Sequence, residues 1–476
     1  MRSERSMPGL ALSALMAAAL GGCAVGPAYT APTIETPSAA WQAPQPSGGK
    51  SLDRWWDQFD DPVVADLVRA ALATHPSLAR ARARIEQARA QAGIDRSAQF
   101  PALVGQLGEQ RQAMWHGGAQ NLHTRDLDAR WEIDLFGGRA AATDASRARW
   151  AAAEADAQAA RVSLAAEVAG AVVDTRACGL AVAILDQDVR SHAQTIDLTR
   201  LKMKAGFSSN SDATLSDAAG ADARQRAQAQ RARCDLDFKA LVALTDLPEA
   251  ELRQRIAARD ALPQPAAIAV EGVPARALAQ RPDVAAAERR LRAASADINV
   301  AEAARYPSLS LEGTIGRIEA SGGGGVFSGW SLLGGLTAPL LDAGGRRAGA
   351  QAARARYDEA LADWRQTVRD AARETEEALV RLDDTGKRVD DVAAAARDYA
   401  GFVDASNERY RAGPGNLFDV EQARRTALAA QLSLVGVQRD RIVAWIALYK
   451  TLGGGWRADD SGDARVAQAS AMTTTR

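Results

Sequence analysis

Residues 124–137, TRDLDARWEIDLFG, alternate between charged and apolar side chains. The charged residues hold every second position: Asp126, Asp128, Arg130, Glu132 and Asp134. Alternation with a period of two is typical of a β-strand with one polar and one apolar face. Such a strand fits the edge of a soluble sheet, or a membrane-barrel strand that is apolar toward lipid and polar toward a lumen.

A second pattern has the period of a helix and is very long. Residues 140–204 contain no proline, and Val168, Val172, Leu180 and Ile184 recur at helical spacing. A helix of that length spans roughly 100 Å. Residues 346–411 repeat the feature, and each long stretch is followed by a glycine turn and a return helix, predicted over 212–245 and 416–450. The lengths favour long antiparallel helical hairpins over a globular domain.

The chain is internally duplicated. The stretch that begins at His75 aligns without gaps on the stretch that begins at Arg281, and Pro101 meets Pro307. Further along, Gly206 aligns with Gly413. Each copy therefore holds a short helix, two strands, a Gly-Gly-Arg turn, a very long helix and a return helix.

The predicted strands have the length of membrane-spanning strands. They cover about 102–110 and 126–136 in the first copy and about 308–318 and 330–341 in the second, roughly ten residues each. Four strands cannot close a barrel, because bacterial barrels begin at about eight strands. Several chains must therefore contribute to one barrel, and we expect the charged face of residues 126–134 to line a shared pore.

The N-terminus has the features of an export signal. Arg2 and Arg5 precede a short apolar run from Leu10 to Leu20, which is too short for a spanning helix. The sequence Leu20-Gly21-Gly22-Cys23 resembles a bacterial lipobox, in which the cysteine is acylated and becomes the new N-terminus. An ordinary cleaved signal with an incidental cysteine is the alternative. Ala24, rather than Asp, follows Cys23, which favours sorting to the outer membrane.

Composition and charge exclude several classes. Hydrophobic residues make up 47% of the chain but aromatic residues only 5%, which favours closely packed helices over a bulky core. The formal net charge of −1 offers no basic field for nucleic acid. After residue 24 there is no uninterrupted run of 18 apolar residues, so no transmembrane helix is predicted.

Several motifs together resemble the TolC-like outer membrane factors, in particular their NodT-type lipoprotein branch. They are CAVGPAY after the lipobox, WWDQFDDPVVADLVRAALATHPSLARARARIEQARA from Trp55, LFGGR, LDAGGRR, RYRAGPGNLFDVEQARR and the closing LYKTLGGGW. The resemblance covers roughly Cys23 to Trp456. It implies a mainly α fold with a small β part, in which each chain of a homotrimer gives four strands to a twelve-stranded barrel above a periplasmic α-barrel.

The resemblance also implies partners and a domain order. Passive export would begin with an inner-membrane pump of the resistance-nodulation-division (RND) type and pass through a periplasmic adaptor. The expected segments are a signal peptide (1–22), a lipidated N-terminal segment and girdle (23–61), repeat 1 (62–247), a linker and girdle (248–281), repeat 2 (282–452) and a polar tail (453–476).

The glycine turns suggest a periplasmic gate. They join the longest helices to their return partners, so we expect them farthest from the membrane strands. Asp419 and Asp212 occupy matching positions just after these turns. Either they stabilise helix starts, or an inward-facing Asp419 forms a ring of three carboxylates that Tyr410 and Arg411 help to latch. The family often carries a second acid three residues later, where this chain has Gln422, so the ring is expected to be weaker or single.

Two cysteines suggest a cross-link in the first hairpin. Cys178 lies 28 residues before Gly206 and Cys234 lies 28 residues after it, which places both at the same height on antiparallel helices. The periplasm is oxidising, so a disulfide is expected. Two buried free thiols are the alternative.

An enzyme, a metal exporter and a pore-free spacer are the remaining alternatives. The four histidines are scattered, and we find no catalytic arrangement, nucleotide loop or cofactor motif. Met114, His116 and His123 fall in one predicted extracellular loop, where solvated residues are the simpler interpretation. A type I secretion or metal-export duct would share this architecture, whereas the paired strands argue against a spacer without a pore.

Overall fold

Helices form most of the chain, and they occur in two copies of one order of elements. The computed structural model describes residues 25–36, 38–46, 55–59, 61–113, 119–259, 261–265, 274–321 and 325–455. The first copy holds α1 (Pro62–Thr74), α2 (Pro76–Ser97), β1 (Ala102–Ala113), β2 (Ala119–Ile133), α3 (Gly138–Lys204) and α4 (Asn210–Thr245). Two short helices follow, α5 (Glu249–Ala257) and α6 (Pro274–Ala279). The second copy holds α7 (Pro282–Ala303), β3 (Ser308–Ala320), β4 (Val326–Thr337), α8 (Gly345–Ala412) and α9 (Leu417–Thr451). The predicted fold class, mainly helical with four strands, is confirmed.

The strands differ from their predicted limits at the ends. β2 begins seven residues earlier than residue 126, because the backbone ladder with β1 continues through Gln120 and Ala119 beyond the alternating segment. It ends at Ile133, so residues 134–136 are not part of the strand. β4 covers 326–337 rather than 330–341. Pro339 lacks the N–H that a ladder needs, which explains why pairing ends before it.

The four strands form one antiparallel sheet in the order β1-β2-β3-β4. The β2–β3 pair joins the two copies, with Asp128 opposite Thr314 and Leu127 opposite Ile315. Directly paired residues share a face of the sheet. The two outer strands, β1 and β4, each leave one edge without a partner within this sheet.

The chain divides into two compact units. The strand unit contains Met1–Thr33, Arg82–Ala155 and Ala285–Thr367, and the hairpin unit contains Ile34–Ala81, Asp156–Val284 and Val368–Arg476. In the hairpin unit, Trp55 is buried and stacks on Tyr449 with 4.3 Å between ring centroids. Phe59 meets Trp445 edge-on at 5.0 Å, so aromatic residues from both ends of the chain form this core.

A buried ion pair also holds the hairpin unit together. Arg176 of α3 lies 2.9 Å from Asp61, whose other oxygen caps the start of α1 at Val63. The guanidinium group also donates to the carbonyl oxygen of Ala261 at 2.9 Å. A buried charge needs such partners, because removal from water is costly.

One helix among the described residues is long and apolar enough, by composition, to cross a membrane. It is α3, which contains a stretch of high mean hydropathy with at most two charged residues, and 44% of that stretch is buried. Leu164, Val168 and Val172 of α3 are buried within the hairpin unit. A core helix meets the same criteria of length and composition, so this helix alone does not indicate a membrane span.

Candidate functional site

The charged residues of β2 share one face of the sheet with polar residues of β3. Thr314 donates to Asp128 at 2.7 Å, and Arg130 lies 3.8 Å from Glu312. The side chain of Asp126 covers Gly316, where an added Cβ would lie 2.0 Å from its carboxylate oxygen. Asp126, Asp128, Arg130 and Glu132 therefore form one continuous polar face with β3. The predicted alternation is seen in the register, whereas the exposure of this face to a lumen stays a prediction.

The opposite face of the sheet carries a set of exposed apolar side chains, together with Arg125 and Arg317, which lie opposite each other in β2 and β3. Large side chains from all four strands lie on it: Leu103, Leu107, Leu127, Ile315, Trp330, Leu332 and Leu336. Trp330 is 78% exposed, although a tryptophan in a water-soluble chain is normally well buried. An exposed apolar patch of this kind marks a surface that contacts lipid or another protein.

Asp134 does not belong to this polar face. It follows the end of β2, and its carboxylate accepts from the backbone N–H of Ala140 at 2.8 Å, in the first turn of α3. Glu132 is the last acidic residue of the strand, and it forms a 2.6 Å ion pair with Arg139. The prediction that the strand includes Asp134 is therefore wrong, whereas the exposure of Asp134 to a lumen stays a prediction. The alternating pattern continues beyond the end of the strand because an aspartate at position 134 is also favourable near the N-terminus of a helix.

The first glycine turn is closed by a capping box. The backbone N–H of Asp212 donates to Ser209 Oγ at 3.1 Å, and the backbone N–H of Ser209 donates to the Asp212 carboxylate at 3.0 Å. The Ser208 hydroxyl donates to the same carboxylate. The backbone hydrogen bond from Ser209, followed by the two serine hydroxyls, lowers the pKa of Asp212. Asp212 thus stabilises the start of α4, which was one of its two interpretations.

The second glycine turn leaves its aspartate free. Asn416, rather than Asp419, caps α9: its side chain accepts from the backbone N–H of Asp419 at 2.8 Å. Asp419 is exposed in the first turn of α9. Within the part of the chain that the structure describes, its carboxylate makes no hydrogen bond or ion pair. Asp212 and Asp419 therefore occupy matching positions with different surroundings.

Tyr410 joins the two hairpins beside this turn. It is 9% exposed and packs with Leu417 and Val420 of α9 and Leu198 of α3. The Lys202 ammonium group of α3 lies 3.8 Å from the centre of its ring, a cation–π contact. Arg411 is exposed. A latch at Tyr410 would therefore act through Lys202, which sequence reasoning missed because cation–π contacts leave no sequence pattern.

The two cysteines of the first hairpin are joined. Cys178 of α3 and Cys234 of α4 are paired as a disulfide, with 5.6 Å between their Cα atoms. That distance is ordinary for a disulfide. That the two cysteines are oxidised in the periplasm stays a prediction.

The N-terminal segment follows α7 toward the end of β2. Tyr29 donates to Glu288 at 2.5 Å, and Asn299 donates to the carbonyl oxygen of Pro27. Val25 donates its backbone N–H to the carbonyl oxygen of Phe136, three residues after the end of β2. Cys23, the predicted lipidation site, lies outside the described residues.

Comparison with known proteins decides the family. A family model described as "Outer membrane efflux protein" matches residues 67–246 and 273–454, which are the two copies. The chain belongs to the outer membrane efflux protein family. The resemblance to TolC-like factors is thereby confirmed, as is the interpretation of the chain as an outer-membrane efflux component.

Curated relatives of this efflux protein span nearly its whole length. The pyoverdine export outer membrane protein OpmQ of Pseudomonas putida is 31% identical over 452 residues, which cover 90% of this chain and 94% of the relative. Outer membrane protein OprJ of Pseudomonas aeruginosa is 31% identical over 469 residues, covering 94% and 96%. Nodulation protein T of Rhizobium leguminosarum bv. trifolii is 28% identical, covering 91% and 94%.

Solved structures of similar sequence share the fold. The outer-membrane channel OprN is 30% identical with a TM-score of 0.81, covering 91% of this chain and all of that chain. A membrane protein from Pseudomonas aeruginosa is 29% identical, also with a TM-score of 0.81, covering 90% and 100%. This efflux protein therefore has the fold of outer-membrane channels. Among its described residues, no group of three or more His, Cys, Asp or Glu side chains is arranged to hold a metal ion.

Proposed function

We propose that this efflux protein is the outer-membrane exit duct of a tripartite pump, and that it works as a homotrimer. Substrate would reach it from an inner-membrane RND transporter through a periplasmic adaptor. The observation that carries the proposal is the four-stranded sheet with one polar and one apolar face and an unpaired edge on each side. In lipid, unpaired strand edges leave backbone groups without hydrogen bonds, which is costly.

A trimer would account for both the unpaired edges and the exposed apolar face of the sheet. Three copies pair β1 of one chain with β4 of the next, so the edges disappear and the apolar face meets lipid. The polar face with Asp126, Asp128, Arg130 and Glu132 then lines the lumen. In the smallest barrels, of about eight strands, side chains fill the interior. A barrel of twelve strands is wider and leaves room for an open lumen.

We propose that Cys23 is lipidated, which agrees with the same membrane placement. Val25, the first described residue, donates its backbone N–H to the carbonyl oxygen of Phe136, just after the end of β2. A lipid anchor adds apolar burial to the insertion of the strands. The proposal therefore includes acylation of Cys23 and insertion of the acyl chain into the lipid of the outer membrane.

Asp419 is proposed to line the periplasmic constriction. Its carboxylate is exposed and unpaired within the described chain, whereas the carboxylate of Asp212 already serves a helix cap. Three copies of Asp419 around a narrow opening would attract cations. Tyr410 would hold the closed turn through Lys202, and the exposed Arg411 would be available to a neighbouring chain.

Reconstitution in a planar lipid bilayer tests the duct. The purified protein, cross-linked to show its oligomeric state, is expected to run as a trimer and to conduct ions in discrete steps. Absence of conductance, with a trimer present, would favour a structural spacer over a duct.

The gate is tested in the same bilayer with Asp419→Asn. The variant is expected to lower the cation preference of the channel, while Asp404→Asn, an exposed aspartate of α8, should leave it unchanged. If both variants keep the preference and opening of the parent protein, Asp419 only complements the helix dipole.

A further inference from the structure

A cluster of charged side chains, buried except for Arg226, lies between the two hairpins in the hairpin unit. We call it the histidine cluster: Asp188 and His192 of α3, Arg226 of α4, and Glu421 and Arg424 of α9. His192 Nε2 lies 3.5 Å from Asp188 Oδ1, and His192 Nδ1 lies 3.2 Å from Glu421 Oε2. The side chains of all three residues are at most 8% exposed. Burial of charged groups costs desolvation free energy, so a cluster of this kind suggests a functional role.

The outer oxygen of each carboxylate is bound to an arginine. Arg226 lies 3.3 Å from Asp188 Oδ2, and Arg424 donates to Glu421 Oε1 at 3.0 Å. The inner oxygens, Asp188 Oδ1 and Glu421 Oε2, both face the imidazole ring. The five groups therefore form a chain of alternating charge, Arg–Asp–His–Glu–Arg, if the ring is protonated.

The ring attracts both carboxylates only when it is protonated. A neutral imidazole has one N–H donor, so its other nitrogen would turn a lone pair toward a carboxylate oxygen. Nδ1 is buried and makes no hydrogen bond, so the contact with Glu421 is one of charge rather than of hydrogen-bond geometry. An imidazolium places a positive charge within 3.5 Å of both buried carboxylates, where the attraction is stronger than it would be in water.

The cluster connects all four long helices. Arg424 donates from α9 to Thr195 of α3 at 2.5 Å and to Asn407 of α8 at 3.1 Å. An apolar cluster that contains Leu185 of α3, Ala227 of α4 and Leu428 of α9 lies beside it on the same helices. His192 precedes the turn at Gly206 by 14 residues, about 20 Å of helix, and Glu421 follows Gly413 by eight. Movement of α9 away from α3 would break the contact between His192 and Glu421.

We infer that protonated His192 is a lock that holds α9 against α3, and that deprotonation favours channel opening. Protonation places a positive charge between Glu421 of α9 and Asp188 of α3, and loss of the proton removes this attraction and leaves the two buried carboxylates beside a neutral ring. Histidine is the side chain that proteins most often use for a proton-dependent contact, so a change of pH is the direct probe of this lock. This inference rests on the proposed function, because it concerns opening of the proposed duct.

Conductance of the reconstituted full chain at pH 5 and pH 8 tests the lock. The open probability is expected to be about fivefold or more higher at pH 8 than at pH 5, the lower range of ordinary coupling between sites. His192→Gln should remove this pH dependence, and Glu421→Gln, which removes the negative charge of one of the two carboxylates, should reduce it. His75→Gln is the matched control, because the ring of His75 only bonds locally to Ser77.

A second measurement does not need conduction. Hydrogen exchange of peptides that cover residues 417–428, corrected for the intrinsic effect of pH, should show less protection at pH 8 than at pH 5. The difference should be absent in His192→Gln. A pH dependence that survives in His192→Gln, or a parent protein without any pH dependence in both measurements, overturns the lock. A protein that never conducts but shows the expected exchange overturns the proposed duct and leaves the lock supported.

Discussion

At the scale of single residues, Gly415 shows that the backbone of the second glycine turn is tightly packed. Its backbone N–H donates to the carbonyl oxygen of Arg409, and an added Cβ would lie 2.8 Å from the backbone nitrogen of Tyr410. Backbone atoms of a helix end cannot move aside as a flexible side chain can. Only glycine fits there without displacing Tyr410, whose ring carries the contact with Lys202.

Replacement of Gly415 by alanine is expected to lower the free energy of unfolding by roughly 1–3 kcal/mol, the usual cost of overpacking. Gly436→Ala in α9 is the matched control, since its Cβ would meet no atom within 4 Å in the chain. The control should raise helix stability by roughly 0.5–1 kcal/mol. Urea unfolding of both variants in detergent measures the difference. Equal stability of the two variants would mean that the turn relaxes freely around the new methyl group.

At the scale of elements, α3 and α4 form a hairpin that is predicted to be covalently cross-linked. Cys178 and Cys234 are 56 residues apart in sequence, so their disulfide closes a long loop that includes the turn at Gly206. A cross-link over such a loop restricts the unfolded chain and stabilises the folded one by about 4 kcal/mol in the chain-entropy account. The geometry agrees with the equal spacing of the cysteines about the turn.

Mass spectrometry of the unreduced protein should find the peptides of Cys178 and Cys234 linked. The double variant Cys178→Ser/Cys234→Ser is expected to lose most of the stabilisation in a denaturant titration, and treatment of the parent protein with a reductant should reproduce that loss. Recovery of both thiols as alkylated peptides without prior reduction would establish the alternative of two buried free thiols.

The strands carry a prediction of their own about which face meets water. Asp128 lies on the polar face and the adjacent Leu127 on the apolar face. A charged, membrane-impermeant thiol reagent should therefore label Asp128→Cys quickly in the membrane-embedded protein and Leu127→Cys slowly. The two positions are neighbours at the same depth, so each controls for access to the other. Faster labelling at position 127 would reverse the assignment of the faces.

At the scale of the whole molecule, the chain has two means of attachment to the outer membrane: its strands and the predicted acyl group on Cys23. Cys23→Ala is expected to abolish incorporation of radiolabelled palmitate and to remove the acyl mass from the mature N-terminus. The trimer should persist, because the segment from Val25 to Tyr29 is held by bonds to Phe136 and Glu288 without the lipid. An N-terminus cleaved elsewhere, with Cys23 removed, would show an ordinary signal peptide instead.

The sequence by itself determined the elements and their repetition. Helical period, proline-free length and glycine turns predict α3, α4, α8 and α9 to within about two residues, because these signals act along the chain. The alternation in 126–133 likewise predicts a two-faced strand, since strand geometry alone puts successive side chains on opposite faces. The family could also be recognised from motifs, as the matched stretches confirm.

Only the tertiary structure decided what individual polar residues contact. In the sequence, Asp134 continues the strand pattern, but its carboxylate accepts a hydrogen bond from the first turn of α3. Asp212 and Asp419 occupy matching positions, but only the carboxylate of Asp212 takes part in a helix cap. His192 and Glu421 are 229 residues apart in the sequence, and no local sequence pattern predicts their contact. Such contacts depend on how separate helices pack, and the energy of a charged group is set by the neighbours that packing brings to it.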